Sequence, residues 1–145
     1  MNWFSWSLLS ALFAGLTAVL AKVGVEGLNS NVATAIRTAV VFVLTLSIAA
    51  PALRTIPLSA VNGRTWLFLI ASGVATALSW LCYFRALQLG KASQVAPLDK
   101  MSTVLAVVLA FVFLHERLSL RGILGVALIV AGGLLMALER PVSSQ

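Results

Sequence analysis

Residues 104–114 read VLAVVLAFVFL, eleven apolar side chains in a row, and stretches of this kind decide what the chain can be. Comparable runs fall at residues 3–23, 32–50, 66–89, 95–114 and 122–138. Each approaches the roughly 20 residues that a helix needs to cross the hydrocarbon core of a bilayer. Hydrocarbon offers backbone N–H and C=O groups no partner outside a helix or a closed barrel, and these runs lack the alternation that a barrel strand requires. Five membrane-spanning helices are therefore predicted. Composition agrees: 61% of the 145 residues are hydrophobic, only 10% are charged, and the mean hydropathy is +1.05. A water-soluble domain of this length needs polar surface that such a sequence does not supply.

The connections carry turn and breaker residues: EGLNSN, then PALRTIPLSAVNGR, then GKAS, then HERLS. The second is the long one and has room for a short interfacial helix. The opening residues, MNWFSWSLL, have neither a basic leader nor a cleavage site, so the first span is expected to be structural. Trp3, Trp6 and Trp66 stand where spans one and three begin, which places them on one membrane face as an interfacial belt. That face also holds Arg54, Arg64, Arg117 and Arg121. The opposite face holds Lys22, Lys91 and Arg140, with Arg37, Arg85 and Lys100 a little deeper. The formal charge of +6 is thus scattered singly and nearly balanced across the membrane. It forms no nucleic-acid surface, and it suits either one orientation by a narrow margin or insertion both ways round. Residues 1–140 are expected to form one transmembrane domain, followed by a short tail at 141–145.

Arg37, Arg85, Asp99 and Lys100 share a depth of about four to six residues inside that second face. Arg85 and Lys22 are expected to snorkel to the headgroups. Asp99 reaches less far, so Lys100, Arg37 or a helix amino terminus is its expected neutraliser. Pro97 predicts that the fourth helix starts or breaks nearby, which would turn Lys100 toward a wet vestibule. On the third span Ser72, Thr76, Ser79 and Tyr83 form a hydroxyl stripe at helical spacing, with Trp80 beside it. Thr34, Thr38 and Thr45 form another on the second span, with Arg37 at its edge. Two readings stand for these stripes, a solute path or interhelical hydrogen bonding. The last span carries Gly125 and Gly132 on one face with Gly133 adjacent, which suits close packing within one chain or between two copies. Cys82 is a single apolar-segment cysteine, which excludes an internal disulfide, and His115 is an interfacial residue without chemistry. No cofactor, metal cluster or nucleophile–histidine pair is indicated, so an enzyme is not expected.

From Trp80 onward the chain resembles the EamA branch of the drug/metabolite transporter superfamily. Tyr83, Ala86, Leu87, Gly90, Ala92, Ser93 and Pro97 carry the likeness, together with FLHERL at residues 113–118 and the glycines of the last span. The resemblance implies an all-helical bundle of ten spans built from two inverted five-helix repeats around a central cavity. This chain matches one repeat, which implies an antiparallel homodimer. GVALIVAGG in the last span is also similar to the dimerising glycine heptad of the small multidrug resistance family. Gly15, however, stands where that family has its membrane glutamate. The expected function is export or uptake of a small polar metabolite, anionic or zwitterionic, by alternating access in a bacterial cytoplasmic membrane. Arg37, Asp99 and Lys100 are expected to set charge selectivity, and Thr38, Ser79, Trp80 and Tyr83 to contact solute. Two rivals remain at this level: a non-transporting subunit that packs on a larger partner, and a drug-cation exporter.

Overall fold

The computed structural model describes residues 2–55 and 58–139, and among them it contains helices and turns but no strand. The elements are α1 (Trp3–Gly24), α2 (Ser30–Leu53), a 3-10 turn (Leu58–Ala60), α3 (Gly63–Leu89), α4 (Ala92–Asp99), α5 (Met101–Leu114) and α6 (Leu120–Leu138). With α4 and α5 taken as one interrupted segment, Ala92–Leu114, five helical stretches are long and apolar enough to cross a membrane. Arg140 and the tail at 141–145 lie outside the described residues.

Helix starts are set by caps, and they fall up to three residues ahead of the apolar runs. Asn29 stays extended and its side chain accepts from the Asn31 amide, which fixes the start of α2. Asn62 Oδ1 accepts from the Arg64 amide at 3.0 Å ahead of α3. Ser119 does the same for Gly122 ahead of α6. Beyond its expected end at residue 50, α2 continues through Pro51 to Leu53. Proline removes one ladder bond there, and in a last turn that loss is small. His115 ends α5 in the left-handed conformation, φ 55°, with its amide bonded to the Ala110 carbonyl. The Glu116 amide reaches the same oxygen at 3.3 Å, the six-residue closure that stops a helix.

The fourth span breaks, although not at the proline itself. Pro97 lies inside α4, where it has no N–H for the Ser93 carbonyl and its ring crowds that oxygen. The interruption comes three residues later, at Lys100, whose amide bonds back to the Pro97 carbonyl at 3.1 Å. This tightened turn absorbs the misfit, and α5 then resumes at Met101.

The chain divides into two compact units, one of residues 1–22 and 89–145, the other of residues 23–88. In the first, α6 packs on α4 and α5. Gly133 is the buried residue of α6. A methyl group at that position would stand 3.4 Å from the Pro97 carbonyl oxygen and 3.5 Å from Met101 Sδ. The absence of a side chain at Gly133 therefore lets α6 seat against the interrupted turn, and Gln94 Nε2 adds a bond to the Glu139 carbonyl at 2.8 Å. Of the two packings that the glycine face allows, within one chain or between two copies, Gly133 makes the first here, against Pro97 and Met101. Gly125 and Gly132 have nothing within 4 Å.

In the second unit α2 and α3 meet through the long side chains of Arg37 and Trp80, and Gln88 of α3 bonds to the Leu28 carbonyl in the turn ahead of α2. Large apolar residues remain exposed on all the long helices. Phe113, Leu128 and Leu135 are 73%, 73% and 71% exposed, a surface suited to lipid or to another apolar face and not to water.

Replacing Gly133 with Val is expected to destabilise the fold by about 1–3 kcal/mol through overpacking against Pro97 and Met101. The same replacement at Gly15, which has nothing within 4 Å, is expected to leave stability nearly unchanged. Unfolding midpoints of the two variants in one detergent make the comparison. Equal midpoints would show that α6 does not depend on the close approach.

Candidate functional site

Residues 80 and 84 are one helical step of four apart, so Trp80 and Phe84 project from α3 toward the same side. Between them and α2 lies Arg37. Its Cζ stands 4.0 Å from the centroid of the Trp80 ring and 5.6 Å from that of Phe84. A guanidinium over aromatic faces is attracted by their negative quadrupole, by about 2 kcal/mol where water is excluded. This gives a charge within an apolar span a local partner that does not require a carboxylate. Arg37 is half-buried, Phe84 is buried, and Thr34 on the preceding turn of α2 is buried as well.

Alongside this stack runs a cleft of about 1040 Å³. Thr34, Thr38 and Thr45 line it from α2, and Ser72, Thr76 and Trp80 line it from α3. Its four threonine hydroxyls have a common state. Thr34 donates to the Ser30 carbonyl at 2.8 Å, Thr38 to Thr34 at 2.8 Å, Thr45 to Val41 at 2.8 Å, and Thr76 to Ser72 at 2.9 Å. Each proton is held by the helix one turn back, so what these oxygens present outward is lone pairs. The threonine part of the wall, set among the apolar Ala35, Leu69, Ala77 and Leu81, thus accepts hydrogen bonds more readily than it donates them.

Of the residues singled out in the sequence, Thr38 and Trp80 line this cleft, and Arg37 stacks on the Trp80 ring without lining it. Ser79 and Tyr83 are not among those that line this cleft. The face that α3 turns toward it runs through Leu69, Gly73, Thr76 and Trp80, and at 100° per residue the 72–76–79–83 stripe lies at its edge. Tyr83 instead sets its ring edge-on to Phe84, with centroids 6.4 Å apart. Phe84 was not anticipated, although its spacing from Trp80 was visible. Asp99 and Lys100 belong to the other unit, as the last residue of α4 and the turn residue before α5. Interrupted helices of this type expose backbone groups and charge where a membrane protein handles solute. Among the described residues no group of three or more His, Cys, Asp or Glu is placed to hold a metal ion.

A model of the EamA-like transporter family matches residues 1–138. A Sinorhizobium protein described as an uncharacterized transporter in the cobO 3' region is 54% identical over 136 residues, which cover 94% of this chain and 96% of that protein. An uncharacterized protein of Methanocaldococcus jannaschii is 35% identical over 72 residues, 50% of this chain and 53% of its own length. No solved structure matches.

The Arg37–Trp80 contact makes a quantitative claim. In a double-mutant cycle of Arg37→Ala and Trp80→Ala, followed by denaturant unfolding in detergent, the coupling is expected to be about 0.5–2 kcal/mol. Additive effects of the two replacements would remove the stack as an interaction.

Proposed function

The chain belongs to the EamA-like transporter family, and from that premise we propose that it moves a small polar metabolite across the membrane by alternating access. The observation that carries the proposal is the hydroxyl-lined cleft of about 1040 Å³ between α2 and α3, beside a fixed guanidinium. Helices that served only to pack in lipid would close such a polar face against a neighbour. The interruption at Lys100 supports the same reading, because a span broken by a tight turn is able to change its angle with little loss of hydrogen bonding. In this scheme Arg37, and separately Lys100 at the interruption of the other unit, each favour an anionic or zwitterionic solute, and Asp99 balances part of the charge of its neighbour Lys100. Thr38 and Trp80 contact the solute, while Ser79 and Tyr83 support the wall at its margin.

The hydroxyl-lined cleft has walls from α2 and α3 alone, and an inverted second copy would supply an opposing wall. Three observations favour such an antiparallel homodimer. Gly125 and Gly132 share a face of α6 and have open space. The basic residues are nearly balanced between the two ends of the spans, which permits insertion both ways round. The Sinorhizobium relative is matched over 96% of its own length, so it too has the length of one five-helix repeat. The membrane of operation in this proposal is the cytoplasmic membrane of a bacterium.

Metabolite profiles of cells lacking the protein and of cells overproducing it test the transport proposal, since one polar solute should change in opposite directions. Lys100→Met is expected to abolish that change while the variant still inserts and dimerises. An unchanged profile in both strains would contradict transport. The dimer has its own test in a cysteine placed at Asn62 of a Cys82→Ser chain. Labelling from both sides of sealed membranes is expected, and labelling from one side alone would contradict the antiparallel pair.

A further inference from the structure

Arg85 does more than snorkel. Its Nη1 donates to Gln88 Oε1 at 2.9 Å, and Gln88 Nε2 in turn donates to the Leu28 carbonyl in the turn between α1 and α2. This relay ties the guanidinium to the backbone of the neighbouring connection and aims it, where a free arginine would sample many rotamers. A second cleft of about 710 Å³ opens at that point, lined by Asn29, Ser30, Asn31, Leu81, Cys82 and Arg85. Its polar groups are mainly donors. A guanidinium has five N–H groups and accepts nothing. The Asn29 side-chain oxygen accepts from the Asn31 amide, and its NH2 group offers two donors.

Asn31 and Leu81 line both this cleft and the hydroxyl-lined one. The two are therefore neighbours, and their polarities are opposite. One presents a positive charge and amide donors, and the other presents threonine oxygens whose protons are held by the helix. Asn31, at the junction, carries both a donor and an acceptor. We propose that Arg85, Asn29 and Asn31 form the seat for the anionic group of the transported solute, a carboxylate or a phosphate, and that the adjoining threonine wall receives the solute's hydroxyl or amino donors. The solute class is an organic anion bearing hydrogen-bond donors along its length. This assignment rests on the transport reading above and moves the anion site from Arg37, whose face is taken by Trp80, to Arg85. Charge-assisted bonds to a carboxylate or phosphate are among the strongest available to such a site, and an arginine held in place loses less freedom in making them.

Cys82 lines the same cleft, is exposed, and is the one cysteine of the chain, so it reports on the seat directly. The full chain in phosphatidylcholine nanodiscs is treated with an anionic sulfonatoethyl and a cationic trimethylammonioethyl methanethiosulfonate. Rates are normalised to those of a small thiol in solution. The anionic reagent is expected to be favoured several-fold. That preference should fall to about one in Arg85→Gln and survive in Arg85→Lys, since one formal charge produces it. Gluconate, an anion with hydroxyl donors, is expected to slow the modification. Inorganic phosphate should slow it less, and glycerol not at all.

Phosphatidylglycerol in the discs separates the two sources of an anion. If it slows modification of the wild type but not of Arg85→Gln, the seat is confirmed and its occupant is a lipid phosphate. Protection by gluconate in neutral discs assigns the seat to solute. Equal normalised rates for the two reagents overturn the proposal, as does modification by neither or a preference that persists in Arg85→Gln. Because labelling reads binding and not flux, a protected Cys82 without any transported solute would leave the seat standing and remove the transport reading. Transport without protection would do the reverse.

Discussion

In hydrocarbon every polar group must find its partner within the protein, and that constraint orders the whole chain. The threonine hydroxyls of α2 and α3 return their protons to carbonyls one turn back. Arg37 takes the faces of two aromatic rings, and Arg85 takes a glutamine that is itself bonded to a backbone oxygen. Helix α5 ends with two amides closing on the Ala110 carbonyl. Each arrangement satisfies a group that lipid would leave unpaired, at a penalty of several kcal/mol for each unsatisfied group.

The same constraint separates two ways of joining helices. Where side chains are absent, backbones meet, and Gly133 on the turn at Pro97 brings α6 against the broken span. Where side chains are long, the helices stand apart, and Arg37 on Trp80 holds α2 and α3 at side-chain distance beside a polar cleft. Close packing gives a firm joint, and wide packing leaves a cleft. Both kinds of contact occur in a chain of 145 residues.

The five spans were legible in the sequence because a long apolar run has few other uses. Their ends were less so, because Asn29, Asn62 and Ser119 set them through caps that lie outside the apolar runs. Pro97 pointed to a break, but the turn falls at Lys100, where the tightened bond absorbs the strain of the missing amide. The hydroxyl stripe on α3 was half legible: Ser72 and Thr76 line the cleft, whereas Ser79 and Tyr83 do not. The partner of Arg37 was not, since periodicity places residues on a face without saying which face of which helix opposes it. Arg85 and Gln88 were readable as a pair at a spacing of three, but the Leu28 carbonyl that completes the relay belongs to a distant turn.

The central claim is that the space between α2 and α3 belongs to water and solute and not to lipid. Single cysteines introduced at Ser72 and Thr76 on the lining face, and at Val74 and Leu78 on the opposite face, test it in a Cys82→Ser chain held in a bilayer. With a charged thiol reagent that does not enter hydrocarbon, the account predicts rapid modification at 72 and 76 and negligible modification at 74 and 78. Uniform protection of all four positions, or equal reaction at all four, would contradict it.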